Sequence, residues 1–213
     1  MLKHLSSQEG KIFLFGLLSL LTYLASIIST YLISVNDANN LLIMTITNII
    51  FGRAAGLSYG LSVGLSEELI ILMNIVIELI MVMIIYPLFV FSWNKSLTIH
   101  ALHNFFSKVK ELRLKHSSFF DKYGKYGLFI FVWFPFWMTG PVVGAIIGFL
   151  IGLKHYHTVF IVSAGTSLAI VVWTYFLKEI MLLLSQISEY APYILLALFV
   201  AIAIFFKLIN SQK

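Results

Sequence analysis

A proline-broken apolar run from Phe134 to Leu153 constrains the fold of this chain more than any other stretch. Its sequence, FPFWMTGPVVGAIIGFLIGL, is apolar enough for a membrane, yet Pro135, Gly140 and Pro141 interrupt it. Proline removes a backbone donor and clashes with the preceding helical turn. In hydrocarbon, a broken helix is tolerated only where protein or a water-lined cavity satisfies the freed backbone groups. The run therefore predicts a re-entrant hairpin or a discontinuous helix.

The composition places this run in an integral membrane protein. The chain has 213 residues, of which 60% are hydrophobic and only 11% charged, whereas a soluble domain carries about 25% charged residues. At about 20 residues per crossing, the length allows about six hydrophobic segments, so we expect one membrane domain over residues 1–213. Because the chain has no cysteine, disulfides and thiol chemistry are excluded. A net charge of +5 is typical of cytoplasmic loops of membrane proteins, so it does not indicate nucleic-acid binding.

Glycines recur in two ladders. Each ladder has four glycines at intervals of four residues, and the ladders are offset by 88 residues: Gly52, Gly56, Gly60, Gly64 and Gly140, Gly144, Gly148, Gly152. This spacing leaves one helix face without side chains, so another helix can approach closely. The constant offset predicts an internal duplication, a frequent feature of transporters. Two ordinary packing faces are the alternative.

The other apolar runs predict four spanning helices, at residues 12–35, 69–91, 158–184 and 192–208. The polar cluster at residues 36–40, NDANN, predicts a turn before the first ladder segment, residues 41–65. Ser66, followed by two glutamates, predicts the start of a helix.

Residues 92–125 form a basic segment that carries half of all the lysines and arginines. Its apolar residues recur at helical spacing, which predicts an amphipathic helix at the cytoplasmic surface. With this segment inside, the helix at 69–91 runs inward, so residues 41–65 must begin and end outside. The sequence therefore predicts an all-α polytopic membrane protein with both termini in the cytoplasm. Two inverted repeats, residues 41–91 and 126–184, each contain a broken-helix hairpin followed by a spanning helix, and a further spanning helix lies at each end of the chain.

The second half of the chain resembles a known family. Pro135-Phe136, Thr139-Gly140 and Gly144, after Tyr126-Gly127, resemble the motif of the small multidrug export family, which is related to the DedA and SNARE-associated Golgi (VTT) membrane proteins. Trp137 and Met138 stand where the family has Pro-Gly. In the first half, Arg53 matches the family's arginine, and the resemblance covers about residues 48–175. It implies two opposed re-entrant hairpins, a location in the plasma membrane of a prokaryote and a transport-like role. DedA relatives are associated with lipid carriers such as undecaprenyl phosphate.

Two ionisable residues fall near the middle of apolar segments. Arg53 lies near the centre of residues 41–65, and Glu78 lies roughly 14 Å into the helix from residue 69, close to the midplane of a ~30 Å core. A charge at such depth is costly unless it is paired or hydrated. Arg53 is therefore predicted to bind an anionic group such as a phosphate, and Glu78 to carry a proton. The alternatives are an arginine that bonds the freed carbonyls of the break, and a structural ion pair between Arg53 and Glu78.

Other polar or helix-breaking residues complete the candidate binding site: Asn74, one turn before Glu78; Thr166, its match at the 88-residue offset; and Pro135, Thr139, Gly140 and Pro141 at the second break. The histidine pairs His100/His103 and His155/His157 are predicted to be solvated, so no metal is expected. No catalytic or cofactor-binding motif is present, which predicts that the chain is not an enzyme and needs no cofactor.

The favoured function is translocation of a small or lipid-linked substrate, with membrane lipids as partners and protons as the candidate coupling ion. A lipid scramblase or flippase is one alternative. A scaffold that binds a soluble partner through residues 92–125 is another. The glycine ladders could also serve a homodimer.

Overall fold

The computed structural model describes residues 7–93, 107–108, 111, 114–115, 117–134, 140–186 and 190–211. Across these residues the chain is helical and contains no strand, which confirms the all-α prediction. The principal helices are α1 Gln8–Ile33, α2 Val35–Phe51, α3 Arg53–Ser62, α4 Glu67–Trp93, α5 Ser117–Trp133, α6 Pro141–Leu150, α7 His155–Ser185 and α8 Ala191–Ser211.

Three of these helices, α1, α4 and α7, are long and apolar enough to cross a membrane. They confirm a polytopic membrane protein and three of the four predicted spanning helices. In α8 the apolar run is the shorter Tyr193–Ile202, so its crossing stays a prediction. Much of the basic segment at residues 92–125, including residues 94–106, lies outside the described part of the chain.

The chain divides into two compact units. Unit 1 comprises Met1–Thr22, Glu78–Phe134 and Pro141–Thr166, and unit 2 comprises Tyr23–Ile77, Pro135–Gly140 and Ser167–Lys213. Helix α4 therefore passes from unit 2 into unit 1 at Glu78, and α7 passes from unit 1 into unit 2 after Thr166. These are units of packing, and the single membrane domain stays a prediction.

The first ladder segment forms a helical hairpin in unit 2. Helix α2 ends at Gly52, whose φ of 91° and ψ of 174° are essentially restricted to glycine, and α3 folds back along α2. A Cβ added to Gly56 would lie 2.7 Å from the Cβ of Asn48, and Tyr59 Oη lies 3.4 Å from Asn40 Oδ1. Because these contacts pair residues on opposite sides of Gly52, the two helices are antiparallel.

The predicted turn at residues 36–40 is wrong, since these residues form the first turns of α2. The chain breaks instead at Ser34, which caps α2 by accepting the backbone N–H of Asp37 on its hydroxyl at 3.3 Å. Asparagine and aspartate favour helix starts as well as turns, because their side chains bond nearby backbone groups in both. The predicted start near Ser66 is confirmed: α4 begins at Glu67, and Ser66 Oγ accepts the N–H of Leu69 at 3.4 Å.

The second ladder segment brings α6 against α5 in unit 1. Val132 contacts the position of Gly144, and a Cβ on Gly148 would lie 2.9 Å from Leu128 Cδ2. These contacts again pair the two helices in opposite directions. They belong to an apolar core that also includes Val82 and Phe89 of α4, so the C-terminal half of α4 packs in this unit.

Helix boundaries repeat with the 88-residue offset of the glycine ladders. Helix α3, Arg53–Ser62, corresponds residue for residue to α6, Pro141–Leu150, and α4 and α7 begin at the equivalent residues Glu67 and His155. Such agreement is expected if both halves of the chain encode the same hairpin-plus-helix element.

The two short helices also end alike. The N–H of Leu65 bonds the carbonyl of Gly60 at 3.1 Å, and the N–H of Leu153 bonds the carbonyl of Gly148 at 3.0 Å. In each case the preceding glycine, Gly64 or Gly152, has a positive φ, which is a Schellman ending. The prediction that all ladder glycines line a packing face is therefore wrong at Gly52, Gly64 and Gly152, which turn the chain.

Candidate functional site

Arg53 lies at the break of the first hairpin. It is the first residue of α3, follows Gly52 directly and is only 5% exposed. A helix N-terminus presents unsatisfied N–H groups and a partial positive charge, and the N-cap residue Gly52 has no side chain with which to cap them. The guanidinium and the helix end together favour an anionic group at this place.

An amide pair joins α2 to α4 in unit 2. Asn48 Nδ2 donates to Asn74 Oδ1, and Asn74 Nδ2 donates to the carbonyl of Ile70 at 2.7 Å. Both asparagines are buried. Asn74 is one of the predicted site residues, whereas Asn48 is not. The sequence pattern that could have indicated Asn48 is a side-chain amide one helical turn before Gly52 within an apolar run.

A second buried polar pair joins α1 to the same hairpin. Tyr23 Oη lies 2.6 Å from Thr45 Oγ1, and Thr45 donates its own hydroxyl to the carbonyl of Leu41 at 2.7 Å. The tyrosine is therefore the donor of the first bond. The sequence did not predict this pair, because a tyrosine in a spanning helix more often lies at the membrane interface.

Glu78 and Thr166 occupy equivalent positions of α4 and α7 and are 3% and 0% exposed. Asn74 lies one turn before Glu78 on the same face of α4 and is 1% exposed. The hydroxyl of Thr166 has no hydrogen-bond partner in the described part of the chain. The burial of Glu78 agrees with its predicted position deep in a spanning helix. Its proton-carrying role and its pairing with Arg53 stay predictions.

The second break contributes two of its four candidate residues to the described structure. Pro141 is the buried first residue of α6, a position that suits proline because its missing N–H would be unpaired there. The preceding Gly140 is half-buried. Arg53 and Pro141 thus hold the same position in two equivalent short helices. Pro135 and Thr139 lie outside the described residues.

His155 contradicts the prediction of solvated histidines. Its Nε2 lies 2.9 Å from Glu9 Oε1, and its Nδ1 lies 2.7 Å from the hydroxyl of Tyr86. The ring of Phe149 stacks on the imidazole, with centroids 5.9 Å apart. His157 is exposed, and His100 and His103 lie outside the described residues. In the described ranges, no group of three or more metal-ligand side chains occurs.

The family model described as "Putative small multi-drug export protein" matches residues 52–172, more than half of the chain. The chain belongs to this family. The family match begins at Gly52, at the break of the first hairpin, and ends within α7. It therefore contains both short helices together with Arg53, Glu78 and Thr166. No curated protein and no solved structure matches the chain.

The matched range agrees with the resemblance that the sequence motifs indicate, which confirms the small multidrug export family. A relationship to the DedA and VTT proteins stays a prediction.

Proposed function

We propose that this protein is an integral membrane transporter that translocates a small or lipid-linked substrate with an anionic group such as phosphate. The observation that carries this proposal is the position of Arg53, a buried cation at the N-terminus of a helix that starts at a break in an apolar hairpin. A buried arginine in a membrane segment is a candidate for function because of its cost.

The two short helices support an anion-binding role. In secondary transporters, broken helices direct half-helix N-termini at anionic substrate groups. Helices α3 and α6 both begin at a break, at equivalent positions of the two repeats. Arg53 adds a full positive charge to the first of these ends, so we assign the anionic group to α3.

We assign proton coupling to Glu78. A carboxyl group in the apolar α4 helix, 3% exposed, loses its charge when it binds a proton, which lowers the cost of burial. When Glu78 is protonated, its negative charge no longer offsets the positive charge of Arg53. In this proposal, that change in net charge releases or resets the bound anion. Thr166, at the equivalent position of α7, cannot carry a proton in this way, so the coupling would be asymmetric.

We further propose that the two hairpins are re-entrant and enter the membrane from opposite faces, in the plasma membrane of a prokaryote with both termini in the cytoplasm. The 88-residue correspondence of helix boundaries supports the repeat, and the basic residues of segment 92–125 support its orientation. In this proposal the protein has no enzymatic activity and needs no cofactor.

Transport by the purified full chain in liposomes tests the proposal, with a fluorescent polyprenyl phosphate and inorganic phosphate as probes. We expect the wild-type chain to move one of them, Arg53→Met to lose at least tenfold of the rate, and Arg53→Lys to keep part of it. Lys154→Met, which removes an exposed cation, is the matched control. Equal rates in wild type and in folded Arg53→Met would contradict the assignment of Arg53.

The same assay separates the alternatives. Movement of the lipid probe in both directions without a pH gradient, and unchanged in Glu78→Gln, would indicate a scramblase. Movement of neither probe, together with capture of a soluble protein that depends on residues 92–125, would indicate a scaffold.

A further inference from the structure

An open cavity lies in unit 2, where α3 and α7 end and α4 begins. Residues from these three helix ends and Tyr193 of α8 line it, and all of them belong to the same unit. Its volume is about 500 Å³, which is within the range of small-molecule sites, about 300–1,000 Å³. Arg53 is the first residue of α3, at the opposite end of that helix. The cavity is therefore separate from the candidate anion site.

Aromatic rings occupy the equivalent place in unit 1. At the 88-residue offset, Leu61 and Met181 of the cavity wall correspond to Phe149 and Trp93. The rings of Phe149 and Trp93 pack edge to face with centroids 5.9 Å apart, and the ring of Phe89 packs against Phe149 at 5.6 Å. Leucine and methionine are smaller than phenylalanine and tryptophan. The space that these rings occupy in unit 1 is therefore open in unit 2.

The wall of the cavity carries more negative than positive charge. Its charged residues are Glu67, Glu68 and Lys178. Glu67 and Lys178 form an ion pair with each other, whereas Glu68 is exposed and makes no ion pair within the described part of the chain. Two carboxylates and one ammonium group leave one negative charge, which a ligand with a single positive charge would neutralise. An ammonium group would also donate a charge-assisted hydrogen bond to Glu68.

The cavity also offers apolar surface to a ligand. Leu61 and Met181 contribute hydrocarbon and a thioether, and the unbranched methionine adapts its shape to what it contacts. Tyr193 is 54% exposed, so its ring is accessible, and the face of such a ring attracts a cation. A ligand that uses this whole wall has an apolar body as well as a positive charge.

We propose that this cavity binds a monovalent organic cation, with its ammonium group at Glu68 and its apolar body against Leu61, Met181 and Tyr193. A bare metal ion suits this wall poorly, because metal ions are held by several ligand atoms. Among the described residues, no group of three or more histidine, aspartate or glutamate side chains is placed to hold one. The inference concerns binding alone and does not rest on transport or on Arg53.

Equilibrium dialysis of the purified full chain in a nonionic detergent at pH 7 tests the proposal. The probe is 1-naphthylmethylammonium, and 1-naphthylmethanol has the same ring system without the charge. Micelles without protein give the background partition of both probes. We expect the protein to bind the ammonium probe about threefold or more tighter than the alcohol. Equal affinities for the two probes, or no binding of the ammonium probe above background, would overturn the proposal.

Substitutions then test whether the probe occupies this cavity. Glu68→Gln should weaken binding of the ammonium probe about threefold or more. Glu179→Gln is the matched control and should leave binding unchanged, because it removes an exposed carboxylate next to Lys178 but outside the cavity wall. Met181→Trp gives unit 2 the side chain that Trp93 supplies in unit 1, and it should remove the binding by filling the space.

The Glu68 variant keeps the test decisive if Met181→Trp fails to fold, because Glu68 is exposed and its replacement leaves the packing unchanged. Equal affinities in Glu68→Gln and Glu179→Gln would overturn the proposal. Unchanged binding in folded Met181→Trp would overturn it as well.

Discussion

Glu67, at the start of α4, and His155, at the start of α7, are 88 residues apart, and each contacts the other long helix. Glu67 contacts α7, and His155 contacts α4. Glu67 of α4 forms an ion pair with Lys178 of α7 in unit 2, and His155 of α7 bonds Tyr86 of α4 in unit 1. Each unit therefore contains one pair of antiparallel helices, the start of the long helix that follows this pair and the end of the other long helix.

Replacement of Gly52 by alanine should strain the first hairpin. Its φ of 91° with ψ of 174° is a conformation that alanine adopts at a cost of about 1–3 kcal/mol. An added methyl group would meet no atom within 4 Å, so the effect isolates the backbone. We expect a clear loss of thermal stability for Gly52→Ala. Gly140→Ala, at the equivalent position without a positive φ and equally open, should be neutral, and equal losses in both would contradict the account.

Gly56 and Gly144, at which the two helices of each hairpin approach closely, should differ in their response to a second substitution. We expect a smaller side chain on the facing helix to restore the stability of Gly144→Ala but not that of Gly56→Ala. A Cβ on Gly56 would lie 3.0 Å from the backbone Cα of Asn48, whereas a Cβ on Gly144 meets the side chain of Val132. Both alanine variants should lose about 1–3 kcal/mol of unfolding free energy from overpacking.

The rescue then distinguishes backbone from side-chain contact. Val132→Ala should restore much of the stability of Gly144→Ala, because it removes the atoms in conflict. Asn48→Ala should leave Gly56→Ala destabilised, since the backbone remains in place. Denaturant unfolding measures the stability of Gly144→Ala and Gly56→Ala, each alone and combined with its second substitution. If Asn48→Ala restored the stability of Gly56→Ala, the backbone contact would not be limiting, which would contradict this prediction.

Asn48 and Asn74 should be energetically coupled. Asn48→Leu leaves a buried amide oxygen of Asn74 without this donor, which costs about 1–3 kcal/mol. The double variant with Asn74→Leu removes both polar groups, so its loss should be smaller than the sum of the single losses by about 1 kcal/mol. Additive losses would show that the amide bond contributes little.

A second double-variant cycle tests the predicted charge pairing of Arg53 with Glu78. Each residue is at most 5% exposed, and loss of one partner of a buried pair costs about 3–5 kcal/mol because the other charge stays uncompensated. Arg53→Met and Glu78→Gln together should then cost less than their sum. Arg53→Met with Glu67→Gln, which removes a partly exposed carboxylate, is the control and should be additive. Additivity in both cycles would favour an arginine that bonds the carbonyls of the break.

The sequence predicted the helical class and the order of short and long helices, because prolines, glycines and the length of apolar runs act locally. The internal repeat stays a prediction, which the 88-residue agreement of helix boundaries supports. The sequence also predicted that Arg53, Asn74 and Glu78 lie in the interior, because each of them falls well within a long apolar segment. It failed at residues 36–40, where the same polar side chains suit a turn and a helix start, and at His155. The partners of His155 are 69 and 146 positions away along the chain, and contacts at such separation leave no local pattern.

The inverted repeat is the central claim, and cysteine accessibility tests it most directly. Ser66 and Lys154 are equivalent residues, both exposed, between a short helix and the long helix that follows, and the natural chain has no cysteine to interfere. Ser66→Cys and Lys154→Cys are each treated in intact cells with a reagent that cannot cross the membrane. If the repeats are inverted, Ser66→Cys reacts from outside and Lys154→Cys reacts only after the cells are opened. Reaction of both from the same side would contradict the inverted repeat.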